Sequence, residues 1–566
     1  MTPGAVRATG RRAWWAHGPF VAALCLGLAL RVTVMVAYRP VLLFPDSFGY
    51  LSHAVPFHLQ WARPGGYLAF LWPILQLTDS RYPIPALQHL MGLALAVACY
   101  AFLLRRGIPR WGATLAALPV LLDPLQLVLE HYLLSDVIFE LLLVGACLLL
   151  LWKPRPGPGA LLAAGLAVAA ATLTRGAGTL VLVVFVVALV CLRVGWRRML
   201  VFLLAALVPL AGYATEFHRE HGRWSLTSAG PRFLYARLAP IVHCDGVRLP
   251  SSERGLCPRE PIGQRRVINY YIWGHRQAPQ WTVQPPPGTS QLAMVADYDR
   301  RVVRSQPWVY GRSVIGHFAL GFAPTRTVEV PGNPADHWLF EDHYWVLDDI
   351  IAQGLRPPSA EAGTSSDPAA ASFLAGYRRW LWTPGPLLAL LLVTGLAAAF
   401  GLRRARWSGD RVATGLLVAC CVVPLATGAA VAGFSWRYQL QQLPLLPVAG
   451  ALGLAALVRG RRAGRTVDPP VRVLDTMAER VVRMLPRGLA GAAGRGAASG
   501  RTSAVVAAVV AAAVAAVVAA CVGAVSGALA AWSGWVDRPL AVAGGAAVGI
   551  TIAVMLLVSR SRAAPD

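Results

Sequence analysis

Apolar residues in this chain gather into runs long enough to cross a lipid bilayer, with short polar or proline-containing breaks between them. A helix rises about 1.5 Å per residue, so about 20 apolar residues span the hydrocarbon core. About twelve such runs predict an all-α polytopic membrane protein, because a helix satisfies its own backbone hydrogen bonds in lipid. The predicted spans are 18–38, 83–104, 111–130, 133–152, 160–174, 177–194, 199–217, 383–401, 412–432, 438–458, 503–530 and 541–558.

The polar stretches between the spans predict two substantial loops. In the first loop, 62–76 predicts a helix lying in the membrane interface. In the second, 290–322 predicts a helix, a break at Pro307 and an amphipathic helix on the membrane. The predicted regions are an N-terminal transmembrane bundle with its first loop at 39–82 (1–217), a large extracytoplasmic loop domain (218–382), the C-terminal part of the transmembrane core (383–458), a basic cytoplasmic linker (459–502) and an appended transmembrane hairpin (503–566).

The distribution of charge predicts the orientation. The formal net charge is +25. If the N-terminus is inside, the predicted cytoplasmic segments hold 27 Arg or Lys against 5 Asp or Glu, an excess of 22. This is the positive-inside pattern, so the basic composition indicates membrane orientation and does not require a nucleic-acid partner. We therefore expect a multi-pass protein of the plasma membrane, with membrane lipids as partners.

The cysteines agree with this topology. Seven of the nine lie in apolar spans, whereas Cys244 and Cys257 both fall in the long loop. Thirteen positions apart in an oxidising compartment, these two predict a disulfide. A zinc site is the weaker alternative, because no CxxC pair accompanies them.

Ionisable residues gather at the outer ends of the predicted spans. Such residues at membrane depth are expensive and are functional candidates by default. Each also has a structural alternative, since Asp46 and Ser47 could cap a helix starting at Phe48 and helix pairs need polar turns. The candidates at this level are Arg31, Asp46, Glu130, His131, Asp136, Arg175 and Arg437. The first loop adds Arg63 before a Pro-Gly-Gly turn, where a snorkelling membrane anchor is the structural alternative.

Five short motifs occur in the order found in GT-C type glycosyltransferases. The chain resembles the bacterial branch similar to protein O-mannosyltransferases and aminoarabinose transferases, over about residues 18–458. The motifs are PDSFGYLSHA, RPGGYLAFL, LLSDVIFELLL, ATLTRGAGTLV and WRYQLQQLPLLP.

The resemblance implies a GT-C-like bundle that moves a sugar from a polyprenyl-phosphate carrier to an extracytoplasmic glycan, lipid or protein. It implies that Asp46 is the catalytic base and that Arg63 faces the lipid phosphate. Asp136 matches the acid that opens the fourth helix, and Arg437 with Tyr438 matches an RY pair. The chain departs from the family at Ser47, where many relatives have a second acid, and in having TRG in place of TRP at Arg175.

The chemistry of such a transfer needs a base for the acceptor hydroxyl and cations for the departing phosphate. Arginine meets a phosphate with two fixed donors, so arginines beside a carboxylate fit this reaction. No metal-ligand spacing demands a divalent cation, although one could take part, and no other cofactor is expected. The further candidate substrate-binding residues are Ser47, Tyr50, His53, His131, Arg175, Tyr438, Glu341, Asp342 and His343.

Three alternative functions remain open at this point. A membrane glycan transferase or ligase with a diphosphate-linked donor would use similar residues. A transporter would place its charges near the bilayer midplane in repeated halves, whereas no repeat is evident here. A scaffold or receptor would account for the large loop domain but not for arginines at membrane depth.

Overall fold

The computed structural model of the chain describes residues 17–274, 277–328, 335–340, 365–400 and 408–459. Almost all secondary structure in these ranges is helical, and two short strands, β1 (Tyr38–Arg39) and β2 (Ser365–Ser366), pair antiparallel. The prediction of an all-α protein is therefore confirmed for the described residues. The predicted regions 459–502 and 503–566 lie outside them, except for Arg459.

The helices form a bundle and a smaller loop domain. The N-terminal part of the bundle contains α1 (Gly18–Ala37), α2 (Pro45–Ala54), α3 (Gly66–Leu77), α4 (Pro83–Arg105), α5 (Arg110–Leu122), α6 (Pro124–His131), α7 (Asp136–Leu151), α8 (Pro158–Thr174), α9 (Gly178–Cys191) and α10 (Trp196–His221). The loop domain contains α11 (Gly230–Leu238), α12 (Ile268–Trp273), α13 (Pro279–Thr282), α14 (Gln291–Ser305) and α15 (Pro307–Leu320). The chain returns to the bundle with α16 (Pro368–Trp380), α17 (Gly385–Ala399), α18 (Ser408–Val431) and α19 (Gln442–Arg459).

The number of spans predicted from the sequence is wrong. Over the described residues, five helices are long and apolar enough to cross a membrane, or up to seven if two bent pairs each count as one span. The two bent pairs are α5 with α6, bent by 46°, and α16 with α17, bent by 54°. Two predicted spans, 503–530 and 541–558, lie outside the described residues.

Two physical effects account for the overcount. Apolar runs continue through helix breaks, as at Asp123–Pro124, where Pro124 begins a new helix and the Asp123 side chain accepts from the Leu125 amide at 2.9 Å. Other runs are apolar because protein surrounds them. All sixteen residues of α7 are buried, so its apolar character comes from packing inside the bundle. At about 1.5 Å per residue, α7 is also shorter than the hydrocarbon core.

The loop domain has its own hydrophobic core. α11 packs against α12 and α14, and Tyr235, Tyr271 and Tyr298 lie at the centre of the contact. Cys244 and Cys257 form a disulfide with Cα atoms 6.1 Å apart, which confirms the predicted pairing. The predicted break at Pro307 is also present, since α14 ends at Ser305 and α15 begins at Pro307.

A hydrogen-bonded junction holds the two halves of the bundle together at the α5–α6 break. Arg326 donates to both oxygens of Asp123, at 2.6 and 2.9 Å, and to the side-chain oxygen of Gln439 at 2.6 Å. The Thr383 amide donates to Asp123 at 2.8 Å. This junction fixes the 3-10 turn Trp436–Gln439, which carries Arg437, against the N-terminal helices.

The helix that the sequence predicts at the membrane interface, in the first loop, is instead buried inside the bundle. α3 covers most of the predicted segment, but Gly66–Trp72 are all buried in the bundle. A Cβ on Gly66 would lie 2.6 Å from the carbonyl carbon of Leu173, so only glycine permits this approach to α8. This close approach brings the segment before α3, which contains Arg63, near the end of α8. Arg175 is the residue that follows α8.

Candidate active site

Backbone hydrogen bonds bring the start of α2 beside the start of α7. The Leu42 amide donates to the His131 carbonyl at 3.1 Å, and the Leu133 amide donates to the Leu42 carbonyl at 2.9 Å. The Ser47 hydroxyl extends this pairing by donating to the Leu133 carbonyl at 2.9 Å. Because these bonds join the segment before α2 to the segment before α7, Asp46 and Asp136 lie at the same end of the bundle.

Asp46 lies inside the first turn of α2 and is not a helix cap. The helix begins at Pro45, and the Phe44 amide donates to the Ser47 hydroxyl instead. The Asp46 carboxylate pairs with two arginines, with Arg63 Nη2 2.6 Å from Oδ1 and Arg437 Nη1 3.0 Å from Oδ2. Its side chain is 13% exposed, so this ion pair is largely removed from solvent.

Asp136 adds Arg175 to the group formed by Asp46, Arg63 and Arg437. It pairs with Arg175 through Oδ1, and its Oδ2 lies 3.9 Å from Arg437 Nη1. Arg437 therefore lies between the two carboxylates. We refer to these five residues as the Asp46 cluster: Asp46, Arg63, Asp136, Arg175 and Arg437.

Aromatic rings surround the guanidinium groups of the cluster. Arg437 lies 5.5 Å from the ring centroids of Phe44 and Trp338 and 5.6 Å from that of Tyr438. Arg175 lies 5.4 Å from the Tyr438 ring. Such contacts hold a cation in place without using its hydrogen-bond donors. Phe44 and Trp338 were not among the predicted site residues, and no local sequence signal links Trp338 to the cluster.

The charges of the cluster do not cancel. Three guanidinium groups face two carboxylates, which leaves a formal charge of +1. Burial raises the pKa of Asp46, but the neighbouring Arg63 and Arg437 lower it by more, so the pKa lies below the usual value for aspartate. Asp46 is thus ionised at neutral pH, and the site as a whole attracts an anion.

Two polar atoms of the cluster lack a hydrogen-bond partner among the described residues. Arg437 Nε is buried without an acceptor, and Asp136 Oδ2 is buried without a donor. A buried donor without a partner is costly, which makes Arg437 Nε available to a ligand oxygen. The arrangement can therefore hold an anionic group beside an ionised carboxylate.

Other predicted residues lie at varying distances from the cluster. The Tyr50 hydroxyl donates to Ser135 Oγ at 3.2 Å, and Arg63 lies 5.6 Å from its ring. His53 does not join them, because its Nδ1 bonds to the Gly49 carbonyl of its own helix at 2.9 Å. The predicted Glu341, Asp342 and His343 lie outside the described residues.

His131, Glu130 and Arg31 belong to a separate buried network. Arg31 donates to Glu130 at 2.7 and 2.8 Å. His89 bonds to Glu130 at 2.8 Å and to His131 at 3.2 Å. His131 also bonds to the Tyr38 carbonyl at 2.6 Å. The sequence placed Glu130 and His131 with the site because they adjoin Asp136 in the chain, and Arg31 because it lies in the outer part of the first predicted span. Their side chains instead bond to one another inside the bundle and fix the turn from within.

In the part of the chain that the structure describes, no group of three or more His, Cys, Asp or Glu side chains is arranged to hold a metal ion.

Comparison of the sequence and the structure with protein-family models, curated proteins and solved structures finds no match. Arguments about function therefore rest on the residues of this chain.

Proposed function

We propose that this protein is a membrane glycosyltransferase that moves a sugar from a polyprenyl-phosphate carrier to an extracytoplasmic acceptor. The observation that carries the proposal is the pairing of Asp46 with Arg63 and Arg437 at one end of a helical bundle. The order of motifs that resembles GT-C glycosyltransferases supports it independently. On this proposal the end of the bundle that carries the Asp46 cluster faces away from the cytoplasm.

The cluster contains the groups that a direct inverting displacement needs. The acceptor hydroxyl oxygen attacks the anomeric carbon from the face opposite the phosphate, and the Asp46 carboxylate takes the hydroxyl proton. The bond between the anomeric carbon and the phosphate oxygen breaks, and its electron pair leaves with the phosphate. The polyprenyl phosphate gains one negative charge, which the guanidinium groups stabilise.

The residues have distinct roles in this step. Arg437 and Arg63 bind the phosphate, since each lies within 3.0 Å of the proposed base Asp46. Asp136 positions Arg175 and Arg437 through its two oxygens. Tyr438 carries Arg175 on its ring face and keeps that guanidinium at the cluster.

The test is a transfer assay on the purified full-length chain in lipid nanodiscs. The donors are polyprenyl-monophosphate sugars, with polyprenyl-diphosphate sugars as the rival class, and mixed cell-envelope fractions serve as acceptors. We expect transfer from a monophosphate donor, and we expect Asp46→Asn to reduce its rate by about 10²- to 10⁴-fold.

Asp79→Asn is the matched control, because Asp79 is an exposed aspartate of the same loop. It should transfer at the wild-type rate. Equal rates for Asp46→Asn and Asp79→Asn, with both proteins folded, would remove Asp46 from the mechanism. Turnover of diphosphate donors alone would favour the rival transferase.

A further inference from the structure

Three tryptophan rings lie together beside the Asp46 cluster. The ring centroid of Trp61 is 5.8 Å from that of Trp273 and 5.7 Å from that of Trp281. Phe233 packs edge-on against Trp273, with centroids 6.0 Å apart. We call Trp61, Trp273 and Trp281 the indole group.

Arg63 joins the indole group to the cluster. Its guanidinium carbon lies 5.4 Å from the Trp273 ring centroid, and its Nη2 lies 2.6 Å from Asp46 Oδ1. One side chain therefore contacts both the proposed base and the indole group. A molecule lying on Trp273 is within reach of Asp46.

A second arginine lies on the indole rings. The guanidinium carbon of Arg232 is 4.1 Å from the Trp281 ring centroid and 5.0 Å from that of Trp61. Its Nε is buried and has no acceptor among the described residues. The indole rings thus hold a cation with a hydrogen-bond donor available beside an aromatic surface.

Hydrogen bonds hold two members of the indole group, Trp61 and Trp281, in place. The Ser228 amide donates to the Trp61 carbonyl at 2.8 Å, and Trp281 Nε1 donates to the Ile272 carbonyl at 3.0 Å. Trp273 remains 38% exposed, although it contacts Arg63 and Phe233. A fixed and accessible indole surface is available to a ligand without further ordering of these side chains.

The chemistry of this surface fits a sugar ring. A pyranose or furanose presents C–H groups on its ring face and hydroxyl oxygens around its edge. An indole covers the C–H face, with the negative face of its π-system towards the C–H hydrogens, and a guanidinium donates to the hydroxyl oxygens. An isoprenoid tail would bury no oxygen against Arg232 and so would leave its Nε without a partner.

We propose that the indole group binds a sugar ring of the acceptor, so that the acceptor of this protein is a carbohydrate. The role of this sugar as the acceptor rests on the proposed function, whereas the binding of a sugar to Trp273 does not. A serine- and threonine-rich polypeptide acceptor would be recognised along its backbone, because an aromatic-lined groove suits proline-rich segments.

Sugar binding can be measured without any transfer. Saturation-transfer NMR on the full-length chain in nanodiscs reports which protons of a soluble trisaccharide contact the protein. The probes are trisaccharides of mannose, glucose, galactose and arabinose, and a serine- and threonine-rich peptide. We expect at least one trisaccharide to bind through its ring C–H protons, and Trp273→Ala to weaken that binding about tenfold or more.

Four variants make the result specific. Trp273→Phe keeps a ring and should retain most of the binding, and Arg232→Ala should weaken it. Trp308→Ala removes another exposed tryptophan, on α15, and should bind as the wild type does. Asp79→Asn should also bind the trisaccharide, because Asp79 is an exposed aspartate outside both the indole group and the Asp46 cluster.

The outcomes separate this proposal from the function on which it builds. Wild-type affinity in a folded Trp273→Ala protein would overturn the sugar site, as would binding of the peptide but of no trisaccharide. Retained trisaccharide binding in a protein that turns over no lipid-linked donor would count against glycosyl transfer alone.

Discussion

Arg437 contacts both carboxylates of the Asp46 cluster, so its replacement by glutamine tests whether the cluster acts as a unit. Arg437 Nη1 lies 3.0 Å from Asp46 and 3.9 Å from Asp136. The Arg437→Gln variant leaves two carboxylates that only Arg63 and Arg175 can neutralise. We expect a less stable protein and a loss of the proposed transfer.

The distances between Arg437 and the two carboxylates give the size of the expected loss of stability. At an effective dielectric constant of about 20, unit charges separated by 3.0 Å attract by about 5.5 kcal/mol, and those separated by 3.9 Å by about 4 kcal/mol. The measured loss will be smaller than their sum, because the variant no longer has to desolvate a guanidinium. Removal of one partner from a buried ion pair typically costs about 3–5 kcal/mol in free energy of unfolding. Loss of one phosphate donor in a water-excluded site should slow transfer by about 10²- to 10³-fold.

A double-mutant cycle isolates the interaction between Arg437 and Asp46. The free energy of unfolding is measured in mixed micelles for the wild type, Arg437→Gln, Asp46→Asn and the double variant. The double variant no longer has, at position 46, a carboxylate that has lost one of its two arginines, so it should be more stable than the sum of the single effects predicts. We expect a coupling of about 2 kcal/mol or more.

The exposed pair Arg300 and Asp297 provides the matched control. Its atoms are 3.1 Å apart, but its side chains are 64% and 35% exposed, so its coupling should be below about 1 kcal/mol. If the Arg437–Asp46 coupling is no larger than that of the control pair, the ion pair does not organise the site. The electrostatic reasoning would then fail.

Three further predictions concern the fold. Burial raises the pKa of Asp299, whose two side-chain oxygens have no donor among the described residues, so the folded domain holds a proton that the unfolded chain releases above about pH 4. Its stability therefore falls as pH rises, and Asp299→Asn should flatten that slope in thermal melts, whereas an unchanged slope would exclude Asp299. Replacing Cys244 and Cys257 by serine should cost about 2–3 kcal/mol and abolish the effect of reductant on melting, and a wild-type protein whose melting does not respond to reductant would argue against the disulfide. Gly66→Ala should cost about 1–3 kcal/mol, because its Cβ would meet the backbone of α8, while Gly176→Ala, with open space around it, should leave the melting temperature unchanged.

The members of the Asp46 cluster could be predicted from the sequence. Each is an ionisable residue next to an apolar segment, where a charge is expensive unless it is paired. The alternating topology of the predicted spans indicated that they share one end of the bundle. The structure brings Asp46, Arg63, Asp136, Arg175 and Arg437 into contact, but their roles in a reaction remain a prediction.

The sequence could not reveal the surroundings of the cluster. Trp338 and Trp273 reach it from segments about 200–300 residues away in the chain from Asp46, and no period or local motif encodes such a contact. His131 was misplaced for the opposite reason, since it is near Asp136 in sequence but turns towards His89 inside the bundle. The number of spans was overestimated because an apolar run does not distinguish a helix packed in protein from one facing lipid.

The two arginines that hold Asp46 imply an order of events for a transferase of the proposed kind. In the structure Arg63 and Arg437 donate to Asp46, and this keeps the carboxylate a weak base. A phosphate that binds the same guanidinium groups competes with Asp46 for them and makes the carboxylate more basic. The lipid-linked substrate would then have to arrive before the hydroxyl can be deprotonated, so the chemistry begins only once both reactants are in place.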